Sequence, residues 1–151
     1  MNGLSREDIV DGGIYRVGLD GTAKRIAVPS DRVMDFYLTE NNIYYTLYDK
    51  KEYGESPRGG QCVRYDGDKI YRVDRKSAES AEYGDGTDIP VETVFDGNDT
   101  LFAANWLPID GYIYISAAKL MDEGDMNWFR VIGETARVNR ENGTIKWLSE
   151  K

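Results

Sequence analysis

The feature that most constrains the fold of this chain is the alternation of short β-forming runs with turns rich in Gly, Asp and Asn. Runs rich in aromatic and β-branched side chains recur along most of the sequence, whereas helical periodicity is weak. Asp20-Gly21 and Asn142-Gly143 are dipeptides that favour the tight turns of β-hairpins. The pattern predicts an all-β, antiparallel fold in which hairpins join successive strands.

Three polar stretches interrupt these runs. The segments 49–60, 77–88 and 119–126 are rich in charged and polar residues, and each contains glycine. Because this composition is typical of exposed connections, we predict loops at all three. Segment 119–126 also has the length of one short helical turn, but its acidic, glycine-containing end favours a loop.

Two sequence elements recur at similar places. Arg-Val stands at positions 16, 72 and 137, each time near the end of a predicted strand and before a polar turn. The pentapeptide at 42–46, Asn-Ile-Tyr-Tyr-Thr, resembles Tyr-Ile-Tyr-Ile-Ser at 112–116. Repeats of about 40–50 residues that contain four strands are typical of propeller blades. The spacing here is longer, and the polar stretches 49–60 and 77–88 account for the additional residues.

Two motifs carry a resemblance to a known group: Ile-Tyr-Arg-Val-x-Leu-Asp-Gly-Thr at 14–22 and Asn-Asn-Ile-Tyr-Tyr-Thr at 41–46. They resemble the repeats of bacterial β-propeller proteins of the TolB-like and YWTD-like kinds, including tyrosine-rich repeat domains of unknown function. The resemblance covers most of residues 9–148. It implies a single repeat domain, 1–151, of antiparallel four-stranded blades: a partial blade at 9–28, a blade at 33–95 and a blade at 101–148.

These blades number about two and a half, whereas propellers typically have four to eight. We therefore expect the chain to be a fragment of a longer protein, to complete a ring by self-association, or to form an open stack of sheets. A two-sheet β-sandwich is the alternative fold, because the same strand lengths and turns are compatible with it.

The charge balance constrains the partners. The formal net charge is −8, from 27 acidic and 19 basic residues. Nucleic-acid binding requires a cationic surface, and an anionic membrane would repel this chain, so neither partner is expected. No membrane insertion is expected either. A protein partner or self-association is the prediction, and a small acidic inhibitor or immunity-type protein that binds a basic protein is the alternative.

Histidine is absent, so the commonest general base near neutral pH and the commonest metal ligand are both missing. Ser-His and Cys-His nucleophile pairs are excluded for the same reason. The single cysteine, Cys62, excludes an internal disulfide, and we expect it to be a half-buried, inert thiol. The sequence therefore predicts a chain that is not an enzyme and has no cofactor.

One acidic turn is a candidate Ca²⁺ site. Asp96, Asn98 and Asp99 carry the oxygen ligands that Ca²⁺ prefers, and Gly97 lies among them. Their spacing does not match an EF-hand loop, and the same residue types satisfy an ordinary turn. Turn chemistry is therefore the main interpretation, and a bound cation is the alternative.

Five residues are candidate ligand contacts: Tyr53, Arg58, Trp106, Trp128 and Trp147. The first two lie in the predicted loop 49–60, and loops held on a rigid scaffold commonly form binding sites. The three tryptophans could anchor a protein partner or stack on a sugar ring, although their strand-like surroundings favour core packing. The tryptophan at 147 is the main exception, since it lies in the last strand. Aromatic rings in a groove beside carboxylates would indicate a carbohydrate-binding domain, a further alternative.

The function predicted from the sequence is a non-catalytic, β-propeller-like binding or scaffold module, part of a larger protein or of a self-associating assembly. The first residues are polar and lack the apolar core of a signal peptide. A cytoplasmic location is the default, and an extracellular one applies if the chain is a fragment.

Overall fold

A computed structural model describes residues 12–29, 32–48, 51–55, 61–64, 69–82, 88–97, 101–123 and 126–148. At 51–55, 61–64, 101–104, 117–123 and 126–134 it describes the backbone alone. These residues form twelve strands and one helix: β1 (Tyr15–Val17), β2 (Ala23–Arg25), β3 (Val33–Leu38), β4 (Asn42–Leu47), β5 (Lys51–Glu55), β6 (Gln61–Arg64), β7 (Lys69–Asp74), α1 (Arg75–Ser80), β8 (Glu92–Asp96), β9 (Leu101–Ile109), β10 (Tyr112–Glu123), β11 (Met126–Asn139) and β12 (Ile145–Trp147).

The strands form four antiparallel sheets within the described ranges. β1 and β2 form a two-stranded hairpin, the first hairpin, and β5 pairs with β6 in a second one. β3, β4, β7 and β8 form a four-stranded sheet in that order, the central sheet, and β9 to β12 form another, the terminal sheet. None of these sheets closes on itself. The predicted all-β, antiparallel fold is therefore confirmed.

The predicted hairpin turns are present. Gly21 lies between β1 and β2 with φ +82°, and Gly143 lies between β11 and β12 with φ +69°. Asp110 and Gly111, between β9 and β10, both have positive φ, at 45° and 80°. Positive φ is the conformation that the tightest hairpin turns need and that glycine adopts without strain. Local chemistry thus determines where these strands reverse.

The predicted loop at 77–88 is wrong at its start, because helix α1 extends to Ser80. Asp74 caps this helix: its carboxylate accepts hydrogen bonds from the Ser77 backbone N–H and hydroxyl, each at 2.7 Å. Ala78 is fully buried, and its carbonyl accepts a hydrogen bond from Ala27 N at 3.0 Å. A helix of six residues is too short for apolar periodicity to reveal it, so only the polar composition was visible in the sequence.

The predicted loops at 49–60 and 119–126 also contain strands. β5 lies inside the first segment, and β10 and β11 pair through the second as far as Glu123 opposite Met126. Paired strands satisfy their backbone hydrogen bonds with each other whatever the polarity of their side chains, so polar residues do not prevent pairing. Residues 56–60 and 124–125, which remain between these strands, lie outside the described ranges.

The central sheet lies between two apolar layers. Successive strand residues point to opposite faces, so Ile43 and Tyr45 contribute to one layer and Tyr44 to the other. The first core, on the side of the first hairpin, contains Ile14, Ile26, Ala27, Val28, Val33, Ile43, Tyr45, Val73, Ala78 and Ile89. The second core, on the side of the terminal sheet, contains Tyr44, Ile70, Val94, Phe95, Trp106, Ile113, Ile115 and Val138. The order of layers is first hairpin, central sheet, terminal sheet.

The two four-stranded sheets pair in the same way. Tyr44 on the second strand of the central sheet lies opposite Arg72 on the third. Tyr114 on the second strand of the terminal sheet lies opposite Arg137 on the third. The Arg-Val elements at 72 and 137 therefore occupy equivalent positions, and in both sheets the valine points toward the preceding layer.

Candidate functional site

Among the side chains that the structure describes, one face of the terminal sheet packs on neither core. Ile113, Ile115 and Val138 point into the second core, so their neighbours along the strands point the opposite way. We call this second surface the outer face; it consists of Leu107, Ile109, Tyr112, Tyr114, Arg137, Asn139 and Lys146. Leu107 and Ile109 are 43% and 42% exposed, which is high for large apolar side chains. The outer face is therefore an exposed surface of mixed apolar and aromatic character.

The outer face is also cationic. The guanidinium of Arg137 lies 4.7 Å from the centre of the Tyr112 ring, within the range of a cation–π contact. Arg137 lies directly opposite Lys146 on β12, and like charges in this position repel. A shallow depression of about 220 Å³ lies here, lined by Tyr112, Arg137, Asn139, Asn142, Thr144 and Lys146.

The turn between β11 and β12 fixes one edge of this surface. The side-chain oxygen of Asn139 accepts hydrogen bonds from the backbone N–H groups of Glu141 at 2.8 Å and Asn142 at 3.2 Å. The side chain of Asn142 in turn accepts one from Thr144 N at 3.0 Å. Such bonds replace the ladder bonds that a reversing chain loses, so the turn is determined by its own sequence.

The equivalent face of the central sheet is covered. Tyr44 is fully buried, whereas its counterpart Tyr114 is half-buried. Arg140, from the β11–β12 turn, donates a hydrogen bond from Nε to the Tyr44 hydroxyl at 2.7 Å, and its guanidinium lies 5.0 Å from the ring centre. Arg72 donates from Nη1 to the carbonyl of Arg140 at 2.7 Å and pairs with Glu92. A face of this type can therefore be buried when a neighbouring layer supplies a turn.

The electrostatics of the covered face are balanced within the chain. Burial opposes the charge of Arg72, but hydrogen bonds to Glu92 and Tyr44 outweigh it and raise the pKa of the guanidinium. In the terminal sheet the position equivalent to Glu92 is Lys146, opposite Arg137. The compensating carboxylate of the central sheet is thus replaced by a second cation.

A second exposed apolar surface lies at the other end of the molecule. In β1, Tyr15 and Val17 are 45% and 66% exposed, while Ile14 is buried in the first core. Leu19, at the tip of the first hairpin, is fully exposed. We call Tyr15, Val17 and Leu19 the hairpin face.

The sequence-predicted contact residues do not form one cluster among the described side chains. Trp106 is buried in the second core, where its ring meets Tyr37 edge to face at 4.7 Å between centres. Its position gives no support to a binding role, since core packing occupies the ring. Trp147 is half-buried in β12 opposite Ala136. Trp128 and Tyr53 lie in β11 and β5, where only the backbone is described, and Arg58 lies outside the described residues.

The candidate Ca²⁺ turn is described only in part. Asp96 ends β8 and pairs with Lys69 at 3.0 Å, whereas Asn98 and Asp99 lie outside the described residues. Among the side chains that the structure describes, no group of three His, Cys, Asp or Glu residues could hold a metal ion. The Ca²⁺ alternative stays a prediction.

The acidic side chains that are described serve mainly turns, caps and ion pairs. Asp20 accepts hydrogen bonds from the hydroxyl and N–H of Thr22, which lower the pKa of its carboxyl. Asp74 caps α1, and the same kind of bonds from Ser77 lower its pKa. Glu79 pairs with Arg75 one helical turn earlier. These carboxylates are distributed over several elements rather than gathered on one surface.

Sequence reasoning missed the outer face as a site, although its signal was present. Tyr112 and Tyr114 alternate with Ile113 and Ile115, and strict alternation places the two tyrosines on one face. What the alternation does not reveal is which of the two faces a neighbouring layer covers.

None of the helices in the described ranges has the length and apolar character required to cross a membrane. Comparison of the chain with protein-family models, with curated proteins and with solved structures found no match.

Proposed function

We propose that this chain is a non-catalytic, propeller-like binding or scaffold module, and that the outer face of its terminal sheet binds a protein partner. The observation that carries the proposal is the pair of equivalent faces. The face bearing Tyr44 and Arg72 is covered by a neighbouring layer. The face bearing Tyr114 and Arg137 has the same strand pairing, but Tyr114 is only half-buried, and Leu107 and Ile109 are exposed beside it.

The pairing of the strands supports propeller-like blades. In each four-stranded sheet, neighbouring strands follow one another along the chain. The one interruption in the central sheet is the hairpin β5–β6, which lies between β4 and β7 in the sequence and forms a separate sheet. The first hairpin carries its own Arg-Val on β1, and it stacks on the central sheet as the central sheet stacks on the terminal one. Three successive layers favour a stack of blades over a two-sheet sandwich.

The chemistry of the outer face is suited to a protein partner. Tyrosine and arginine are enriched where protein interfaces carry most of their binding energy, because they combine large contact area with hydrogen bonding. Leu107 and Ile109 add exposed apolar area beside Tyr114 and Arg137. The face has no His, and the described side chains that form it include no carboxylate, so general acid–base chemistry has no support there.

The acidic-inhibitor alternative has weaker support. Such a protein would present a continuous anionic surface to a basic partner. The described carboxylates instead lie in separate turns, a helix cap and ion pairs, and the outer face carries Arg137 and Lys146.

The proposal can be tested with peptides selected from a random displayed library against the immobilised chain. Leu107→Asp introduces a charge on the outer face, and Leu38→Asp makes the same change at a leucine of similar exposure, 46%, on β3 of the central sheet. We expect the selected peptides to bind the wild-type chain and L38D equally and L107D at least about tenfold more weakly. Peptides that bind all three alike, or a selection that yields none, would contradict the proposal.

A further inference from the structure

The contact between the central and terminal sheets provides a template for what covers an outer face. Arg140 lies three residues after Arg137, in the turn that follows the third strand. From this turn its guanidinium contacts Tyr44 and its carbonyl accepts a hydrogen bond from Arg72. The covering layer thus places the turn after its Arg-Val strand over the Tyr–Arg pair of the preceding layer in the stack.

The three Arg-Val valines differ in burial in a way that identifies the missing contact. Val73 and Val138 are 1% and 0% exposed, because each points into the core shared with the preceding layer. Val17, at the same place in the first hairpin, is 66% exposed. The valine of the Arg-Val element is thus buried in the central and terminal sheets but exposed in the first hairpin. The described part of the chain contains no layer before this hairpin.

We propose that the hairpin face of one copy of this chain binds the outer face of a second copy, head to tail. This rests on the proposed function, since it assigns the partner of the outer face. Leu19 lies three residues after Arg16, as Arg140 lies three residues after Arg137. It therefore occupies, in the first hairpin, the turn that is equivalent to the turn of Arg140 in the terminal sheet. In the contact between copies the Leu19 side chain covers the Tyr114 ring, and its carbonyl accepts a hydrogen bond from Arg137.

Leu19, an uncharged residue, suits the cationic outer face. An arginine there would meet Arg137 and Lys146, which lie opposite each other without the glutamate that accompanies Arg72. Leucine adds apolar contact and no further positive charge.

The size of the contact sets the affinity to expect. The two strands of the first hairpin have three residues each and cover an area of roughly 100 Å² per partner, estimated from strand spacing and rise. Stable protein interfaces bury about 800 Å² per partner, so this association is weak and reversible. A head-to-tail contact is heterologous, so it extends to rings or filaments rather than stopping at a dimer.

The experiment is sedimentation velocity of the full chain over concentrations from about 10 μM to 1 mM, a range suited to weak association. Leu19→Lys damages the hairpin face and Tyr114→Lys damages the outer face. Leu38→Lys is the control, an equal change of charge at an exposed residue on neither surface. Circular dichroism checks folding, and Arg137→Ala serves as the second outer-face variant, because it removes the hydrogen-bond donor without adding charge.

We expect the wild-type chain and L38K to increase in mass with concentration beyond a dimer, and L19K and Y114K each to remain monomers of 17.1 kDa. An equimolar mixture of L19K and Y114K should form a dimer and stop there, because one intact hairpin face meets one intact outer face. A wild-type monomer at every concentration overturns the proposal, and so does an L19K variant that associates normally. If the peptide selection still depends on Leu107, the proposed function survives that failure.

Discussion

The layered arrangement predicts that one substitution, valine to alanine, has very different costs at three equivalent positions. Val138 and Val73 are 0% and 1% exposed in the second and first cores, whereas Val17 is 66% exposed. The change removes two methyl groups, and each buried group contributes about 0.8 kcal/mol. A cavity term adds to this where the surroundings do not collapse, so V138A and V73A should each cost about 2–3 kcal/mol.

For V17A the same reasoning gives about 0.5 kcal/mol, because only about a third of the side chain is removed from water. The lower β-propensity of alanine, up to about 1 kcal/mol, is common to all three positions and cancels in the comparison. The expected difference between V138A and V17A is therefore about 2 kcal/mol, or roughly 4–8 °C in Tm for a chain of this size.

The assay is urea unfolding followed by circular dichroism at a low protein concentration, where weak self-association does not contribute to stability. If the variants have equal m-values and different urea midpoints, the midpoint shifts report changes in the free energy of unfolding. If V17A destabilises as much as V138A, the first hairpin is covered in solution and the order of layers is wrong. A cost below about 0.5 kcal/mol for V138A would refute the second core itself.

Three further outcomes follow from the contacts. Tyr44→Phe should cost about 1 kcal/mol in urea unfolding, because it leaves the half-buried Arg140 guanidinium without its acceptor, whereas Tyr114→Phe should change stability by less than about 0.5 kcal/mol. Asp74→Ala should lower the thermal midpoint at pH 7 and Asp74→Asn much less, since asparagine also caps helices. Hydrogen bonds from Ser77 lower the pKa of Asp74. The stabilisation by the Asp74 carboxylate is therefore complete above the pKa of a free carboxyl and is lost as the pH falls through the lowered pKa. A stability deficit of D74A that persists unchanged in acid would contradict this pH dependence. Lys146→Glu should stabilise the terminal sheet by about 0.5 kcal/mol, because residue 146 lies opposite Arg137 and the change replaces a repulsive pair with an attractive one. Unchanged stability of this variant in low salt would show that Lys146 and Arg137 do not repel each other.

The positions of the strand reversals could be predicted from the sequence because turn chemistry is local. Asp20-Gly21 and Asn142-Gly143 form hairpin turns as expected, since glycine adopts positive φ without a steric penalty. The antiparallel all-β class followed from the same turns and from the β-forming runs between them. Polar composition was a poorer guide, since it does not prevent a chain from pairing, as β5 and the ends of β10 and β11 demonstrate.

The sequence by itself determined where this chain turns, which residues alternate along each strand, and the absence of histidine chemistry. Only the tertiary structure decided which face of each strand is covered. Val17 and Val138 each follow an arginine in the same strand pattern, yet Val17 is exposed and Val138 is buried. The physical reason is that alternation is a property of the strand backbone, whereas burial depends on the layer stacked against it, which comes from residues distant in the sequence.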